Sequence, residues 1–233
     1  MELHAQKFQL LSTDAGANVV MPDGVRIPLK AKMEYLGAVI SADGDNNHEL
    51  NRRIGMARAD FISLSKVWSH SSLTWKGKLR VFVSLVEAKL FYGLSGMCFT
   101  KAQQRRLDGF QNRCVRKIVG IKPAFISRVS NADVLAKAGH RPATATLRKR
   151  RLQLWGKVLR APVQNPMRKV CFIDNTNFPA TEQYVRRVGR PSKEWVRECN
   201  ADAASLFGST HEAAQIAQSR QAWNIALQSK LGF

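Results

Sequence analysis

The chain has 233 residues, with 37 Lys plus Arg against 17 Asp plus Glu and a net charge of +20. At ~150 residues per domain this is about one and a half domains, and 45% hydrophobic with 23% charged residues excludes a chain disordered throughout. The charge points to a polyanionic partner, nucleic acid first and an anionic membrane surface second.

The first 45 residues read as strand and turn. Val19-Val20-Met21, Pro22-Asp23-Gly24 and Val25-Arg26-Ile27 form an apolar run, a turn signal and a second run. Tyr35-Leu36-Gly37-Ala38-Val39-Ile40 is the next strand candidate, closed by the polar cluster Ser41–Asn47. From residue 47 the period becomes helical. Leu50, Ile54, Ala57, Phe61, Leu64 and Trp68 share one face, with Asn47 as the expected N-cap. Thr74 caps a second helix with Leu79, Phe82, Val83, Val86 and Leu90 inward. Thr100 caps a third with Leu107, Phe110, Cys114 and Ile118 inward and Gly120 as its stop. A short helix is expected over 131–139, and another from Pro142 to about Arg160. Residues 161–188 are irregular. Pro191 starts a helix with Trp195 and Leu206, and Ser209-Thr-His-Glu212 opens one final helix with Ile216, Trp223 and Leu227. The fold class expected is α+β: a small N-terminal β-hairpin or strand remnant, then a mainly α-helical body. The segments are 1–45, 46–122, 123–188 and 189–233.

Residues 79–99 are the most apolar stretch, but Arg80, Glu87 and Lys89 make them a buried helix rather than a membrane span. Met1-Glu-Leu-His is no signal peptide. The expected location is therefore nucleus or cytoplasm, not secreted, with the nucleus preferred. Cys98, Cys114, Cys171 and Cys199 have neither zinc-site spacing nor clustered histidines and read as free, mostly buried thiols of a reducing compartment.

The charge is uneven. Residues 1–50 carry net −3, residues 51–100 net +6 and residues 161–233 net +3, whereas residues 101–160 hold 16 basic and 2 acidic groups, net +14. The densest run is Arg148-Lys149-Arg150-Arg151. Four consecutive helical residues span about 300°, so these cannot share a face, and some must point to a partner or into the fold. Arg105, Arg106, Arg113, Arg116, Lys117, Lys122, Arg128, Lys157 and Arg160 extend the cluster. Phosphate contacts use this chemistry; the bland alternatives are a solvated face or a nuclear-import tract. Phe61, Trp68, Phe82, Phe110 and Trp155 fall at apolar-periodic positions and read as core, leaving Tyr35 and Tyr92 open as stacking platforms.

No catalytic constellation is visible: there is no Asp-Asp pair, no His-Glu-x-x-His, no Gly-x-Ser-x-Gly and no phosphate-binding glycine loop. Pro22-Asp23 reads as turn chemistry and Asp43 with Asp45 as loop formers rather than a metal pair. His70 and His140 show no carboxylate partner and are assigned no role.

The order of short motifs carries a resemblance: Tyr35-Leu36-Gly37, Arg52-Arg53-Ile54, Lys78-Leu-Arg80, Leu90-Phe-Tyr92-Gly93, Arg116-Lys-Ile118-Val-Gly120, Ser130-Asn131-Ala-Asp-Val134, Arg151-Leu152 through Gly156, and Gly189-Arg190-Pro191 through Trp195. Over residues 1–200 this set resembles the C-terminal part of the reverse transcriptase of non-LTR retrotransposons (long interspersed elements): palm end, thumb and the region beyond. The resemblance implies that Lys7 lies near an incoming nucleotide's phosphates, that Tyr35, Leu36 and Gly37 form a primer-grip-like hairpin, and that residues 47–120 form a thumb clamping a template–primer duplex. It implies an RNA-directed DNA polymerase whose paired carboxylates hold Mg²⁺. Those carboxylates, with palm and fingers as partners in a larger polyprotein, are expected upstream of Met1. In this chain no catalytic residue, metal ligand or cofactor is expected, and alone it should not polymerise. Lys157 departs from the His common in similar sequences. The expected function is template–primer (RNA or RNA–DNA duplex) backbone binding. The alternatives are a free-standing helical, non-specific nucleic-acid-binding protein and an interaction or membrane-surface module.

Overall fold

Two short strands, β1 (Lys32–Tyr35) and β2 (Ala38–Ser41), pair antiparallel with Tyr35 opposite Ala38. They belong to a computed structural model that describes residues 8–14, 16–174, 176–183 and 193–232. The turn between them is Leu36-Gly37, with φ of 48° and 75°, the left-handed pair of a type I′ hairpin. The single strand that the apolar run over 35–40 suggests is thus two strands and a turn, and a hairpin lies where the resemblance implied one, at Tyr35-Leu36-Gly37. The turn is hidden in the local residue pattern because leucine disfavours positive φ. Tertiary contacts impose it instead: Tyr92 Oη donates to the Leu36 carbonyl at 2.8 Å, Arg52 Nη1 donates to the Gly37 carbonyl at 2.7 Å, and Arg53 Nη2 donates to that same oxygen. The expected turn at 22–24 is present, with Gly24 at φ 82° and Met21 N donating to Val25 O at 2.8 Å. Only an isolated Val20–Arg26 bridge forms there, not two strands. None of the described residues from 8 to 45 is buried.

The body is helical. α1 (Asn47–Ser63) and α2 (Ser65–Ser69) bury Leu50, Ala57, Phe61 and Trp68, with Ile54 and Leu64 packed beside them. The N-cap is Asn46 rather than Asn47, and it makes no side-chain cap bond. Both amides serve tertiary contacts: Asn46 Nδ2 donates to Cys98 O at 2.9 Å and Asn47 Oδ1 accepts from Gln103 Nε2 at 2.8 Å. α3 (Trp75–Val81), capped by Thr74, runs through a π-helical stretch, Phe82–Glu87, into α4 (Ala88–Leu90). Leu79, Phe82, Val86 and Leu90 point inward as expected, but Val83 is 42% exposed. The wider π turn shifts the helical register and carries Glu87 inside. There Glu87 Oε1 accepts from Gln111 Nε2 at 2.7 Å and meets His140 Nε2 at 2.8 Å. His140 therefore has a carboxylate partner that its sequence neighbours do not reveal.

α5 (Lys101–Val119) begins at a Thr100/Gln103 capping box and stops at Gly120, φ 74°. α6 (Ala124–Ser127), α7 (Asn131–Ala138) and α8 (Ala143–Leu159) follow. Pro142 precedes α8, and Asp108 of α5 caps it from outside, accepting from Thr144 N at 2.9 Å. α9 (Pro166–Cys171) leads to α10 (Trp195–Phe207); the expected start at Pro191 lies outside the described residues. The one final helix expected is two, α11 (Thr210–Ala217) and α12 (Arg220–Leu231). Ser219 separates them because its hydroxyl accepts from Ala222 N at 3.3 Å, a new N-cap that competes with continuation.

Two apolar clusters result. Leu50 through Leu147 form one, and Leu152 through Leu227 form the other. α8 enters both, and Trp155 meets Trp223 in the second at 5.5 Å between ring centroids. All four cysteines are free; Cys114 and Cys199 are buried, while Cys98 and Cys171 are half-buried.

Candidate nucleic-acid interface

α5 explains where the charge is displayed. Leu107, Phe110, Cys114 and Ile118 bury one side. At about 100° per residue, Lys101, Arg105 and Arg113 fall on the opposite half, with Arg106 and Lys117 flanking it, and all five are exposed; Arg116 and Asp108 also fall on that half, Arg116 buried and Asp108 half-buried. Arg106 donates to Asn51 of α1, and the Lys117 ammonium sits 5.9 Å from the Phe61 ring centroid. The two acids of the +14 stretch do not oppose this face. Asp108 caps α8, while Asp133 accepts from Ser130 Oγ at 2.7 Å within the cap of α7.

Arg116, on the same helix, is buried and positions a loop rather than meeting a partner. Its Nη1 donates to Lys122 O at 3.0 Å, Nη2 to Val129 O at 2.7 Å and Nε to Asn131 Oδ1 at 2.9 Å. The loop it holds carries α6, where Phe125 is 74% and Ile126 54% exposed. Arg113, Lys117, Lys122 and Phe125 line one groove of about 700 Å³, and no carboxylate among the described residues lines it. Phe125 was not among the candidates read from the sequence. Its signal is an apolar pair, Phe125-Ile126, outside any periodic pattern and flanked by Lys122 and Arg128.

The Arg148–Arg151 run is turned mostly inward. Arg151 is buried, with Nη1 3.1 Å from Glu198 Oε2 and Nη2 on Asp202. Burial works against its charge, but Asp202, with Glu198 beside it, more than restores it, and the Arg151 pKa is raised. Arg148 Nε lies 2.9 Å from Asp202 Oδ1, and the Arg150 guanidinium sits 4.8 Å from the Phe91 ring centroid. Desolvation lowers the pKa of Lys149 and Arg150. Desolvation also lowers that of Arg160, which donates to the Ala217 carbonyl. Lys157 is exposed. The sequence thus overstates this cluster, because the acids that engage it lie about fifty residues away, on α10.

The hairpin residues Tyr35 and Leu36 are 58% and 76% exposed at the tip of β1–β2. Buried Glu49 anchors the hairpin by accepting from Val39 N at 2.7 Å. Tyr92 covers the Arg53 guanidinium at 4.5 Å. Lys7 and the Gly189-Arg190-Pro191 motif lie outside the described residues. Among the described residues no group of three His, Cys, Asp or Glu side chains is placed to hold a metal ion. Likewise, no helix among them is long and apolar enough to cross a membrane. Comparison of the chain with protein-family models, curated proteins and solved structures finds no match.

Proposed function

We propose that the chain binds the phosphate backbone of an RNA or RNA–DNA duplex, as the thumb-like C-terminal part of a retroelement reverse transcriptase. The observation that carries the binding is the set of exposed cations along α5, Lys101, Arg105, Arg106, Arg113 and Lys117, while the one acid of that helix, Asp108, is engaged by Thr144 of α8. A row of cations along one helix matches a regular anionic track and reads no base edge. The retroelement assignment rests on the ordered motifs along the chain. Alone, the chain binds and does not polymerise; Mg²⁺ belongs to the parent enzyme's carboxylates. A nucleic-acid-bound life favours the nucleus.

Binding of the purified chain to an RNA–DNA duplex and to anionic liposomes tests the partner. Preference for liposomes overturns the nucleic-acid reading. A primer-extension assay with Mg²⁺ tests the rest: incorporation above a heat-killed control overturns inactivity of the isolated chain.

A further inference from the structure

Lys122, Phe125 and the C-terminal cations of α5 form a second feature beside the duplex-binding face. We propose that the groove between α5 and α6 takes an unpaired nucleotide, so that the chain binds a junction between duplex and single strand more tightly than a blunt duplex. This rests on the duplex reading above and deepens it.

Three observations converge on that occupant. Phe125 is 74% exposed, although burial is the ordinary state of a phenylalanine. The backbone that carries it is also held in place. Pro123 O accepts from Ile126 N and Ser127 N, both at 3.0 Å, and Arg116 fixes the flanking carbonyls of Lys122 and Val129. Finally, Arg113, Lys117 and Lys122 share the groove with its ring, and no carboxylate among the described residues does. A cationic rim around one free aromatic face is complementary to a nucleotide, with phosphate on the rim and base on the ring. A base inside a duplex offers no free face, whereas an unpaired base does. About 700 Å³ lies within the range that holds ligands larger than one nucleotide base. Arg113 and Lys117 also belong to the exposed face of α5, so a strand leaving a duplex on that face reaches the groove directly.

The test measures fluorescence anisotropy with a blunt RNA–DNA duplex and with the same duplex carrying a short overhang on either strand. The intact chain is expected to bind one overhang probe at least about fivefold more tightly, the low end of a single stacking contact. Phe125→Ala removes that preference and leaves blunt-duplex affinity unchanged, and Phe125→Trp retains it. Arg113→Ala weakens binding to every probe. Equal affinity of the intact chain for blunt and overhang probes overturns the junction proposal alone. So does an unaltered preference in Phe125→Ala, which would leave Phe125 as a protein-contact residue. Binding to none of the probes overturns the duplex reading and the junction proposal with it.

Discussion

Arg151 Nη1 lies 3.1 Å from Glu198 Oε2, across the contact between α8 and α10. With Asp202 on its other nitrogen, this guanidinium ties the helix shared by both cores to the second one. Its removal takes the buried cation from two half-buried carboxylates, leaving Asp202 to Arg148 and Glu198 to Lys193. Breaking a buried pair costs about 3–5 kcal/mol, and the partial exposure of Glu198 and Asp202 reduces this to about 2 kcal/mol. Arg151→Ala is therefore expected to lower the melting temperature by roughly 5 °C for a chain of this size. An unchanged thermal unfolding midpoint would contradict the structural role.

The α5 face predicts a salt dependence. Log affinity for a duplex falls with log salt by about 0.9 per phosphate neutralised on a B-form helix. Replacing Arg105, Arg113 and Lys117 by Ala, singly, is expected to reduce that slope by about one contact each. The loss should be equal across duplex sequences, because phosphate contacts carry no base information. Binding isotherms over a salt series measure it; a flat response in the unaltered chain would contradict the electrostatic account.

Gly156 sits beneath the indole of Trp223. A Cβ there would meet Trp223 Nε1 at 2.6 Å and Cδ1 at 2.7 Å, displacing a ring whose Nε1 donates to Leu152 O at 2.9 Å. Although alanine suits a helix better than glycine, overpacking costs about 1–3 kcal/mol and outweighs that gain. Gly156→Ala is expected to destabilise the second core by about 2 kcal/mol, read by urea unfolding followed through tryptophan emission.

Burial pushes the Cys114 thiol up to about 12 and that of Cys98 to about 11, and it raises Cys199 as well. An unfolded thiol ionises near its ordinary 9.0. Below that pH both states hold the proton and the stability is fully present. Between 9.0 and about 12 the unfolded chain alone loses it, so stability falls as pH rises. The slope is about 1.4 kcal/mol per pH unit for a buried thiol such as Cys114, and less for the half-buried Cys98. Cys114→Ala is expected to flatten the decline in urea midpoint above pH 9; an equally steep decline would place it elsewhere.

Residues 8–45 lack a buried side chain among those described, while α5 is anchored in the first core. Local stability follows buried contacts. Backbone amides of 8–45 are expected to exchange hydrogen faster than those of α5 by several orders of magnitude, measured by native-state exchange with mass spectrometry.

The sequence by itself determined most of the long helices and most of the inward faces that pack the core, because period and cap chemistry are local; it missed α6, α9 within the stretch expected to be irregular, the break between α11 and α12, and the exposure of Val83. Thr100 capping against Gln103, Gly120 stopping α5, and the burial of Phe61, Trp68, Phe110 and Trp155 all follow from spacing within a few residues. It also determined the net charge. Only the tertiary structure decided which cations face water. Arg151 meets acids 47 and 51 positions away, and Arg116 closes on a loop that turns back toward it, so neither fate can be read from their neighbours. The Leu36-Gly37 turn is a third case. Its left-handed leucine opposes local preference and is held by Tyr92, Arg52 and Arg53, contacts that exist only once the hairpin is docked on the helices. The +20 that composition alone reads as one basic surface thus divides into a displayed face on α5 and an internal set on α8, because burial pairs a charge wherever distant acids can reach it.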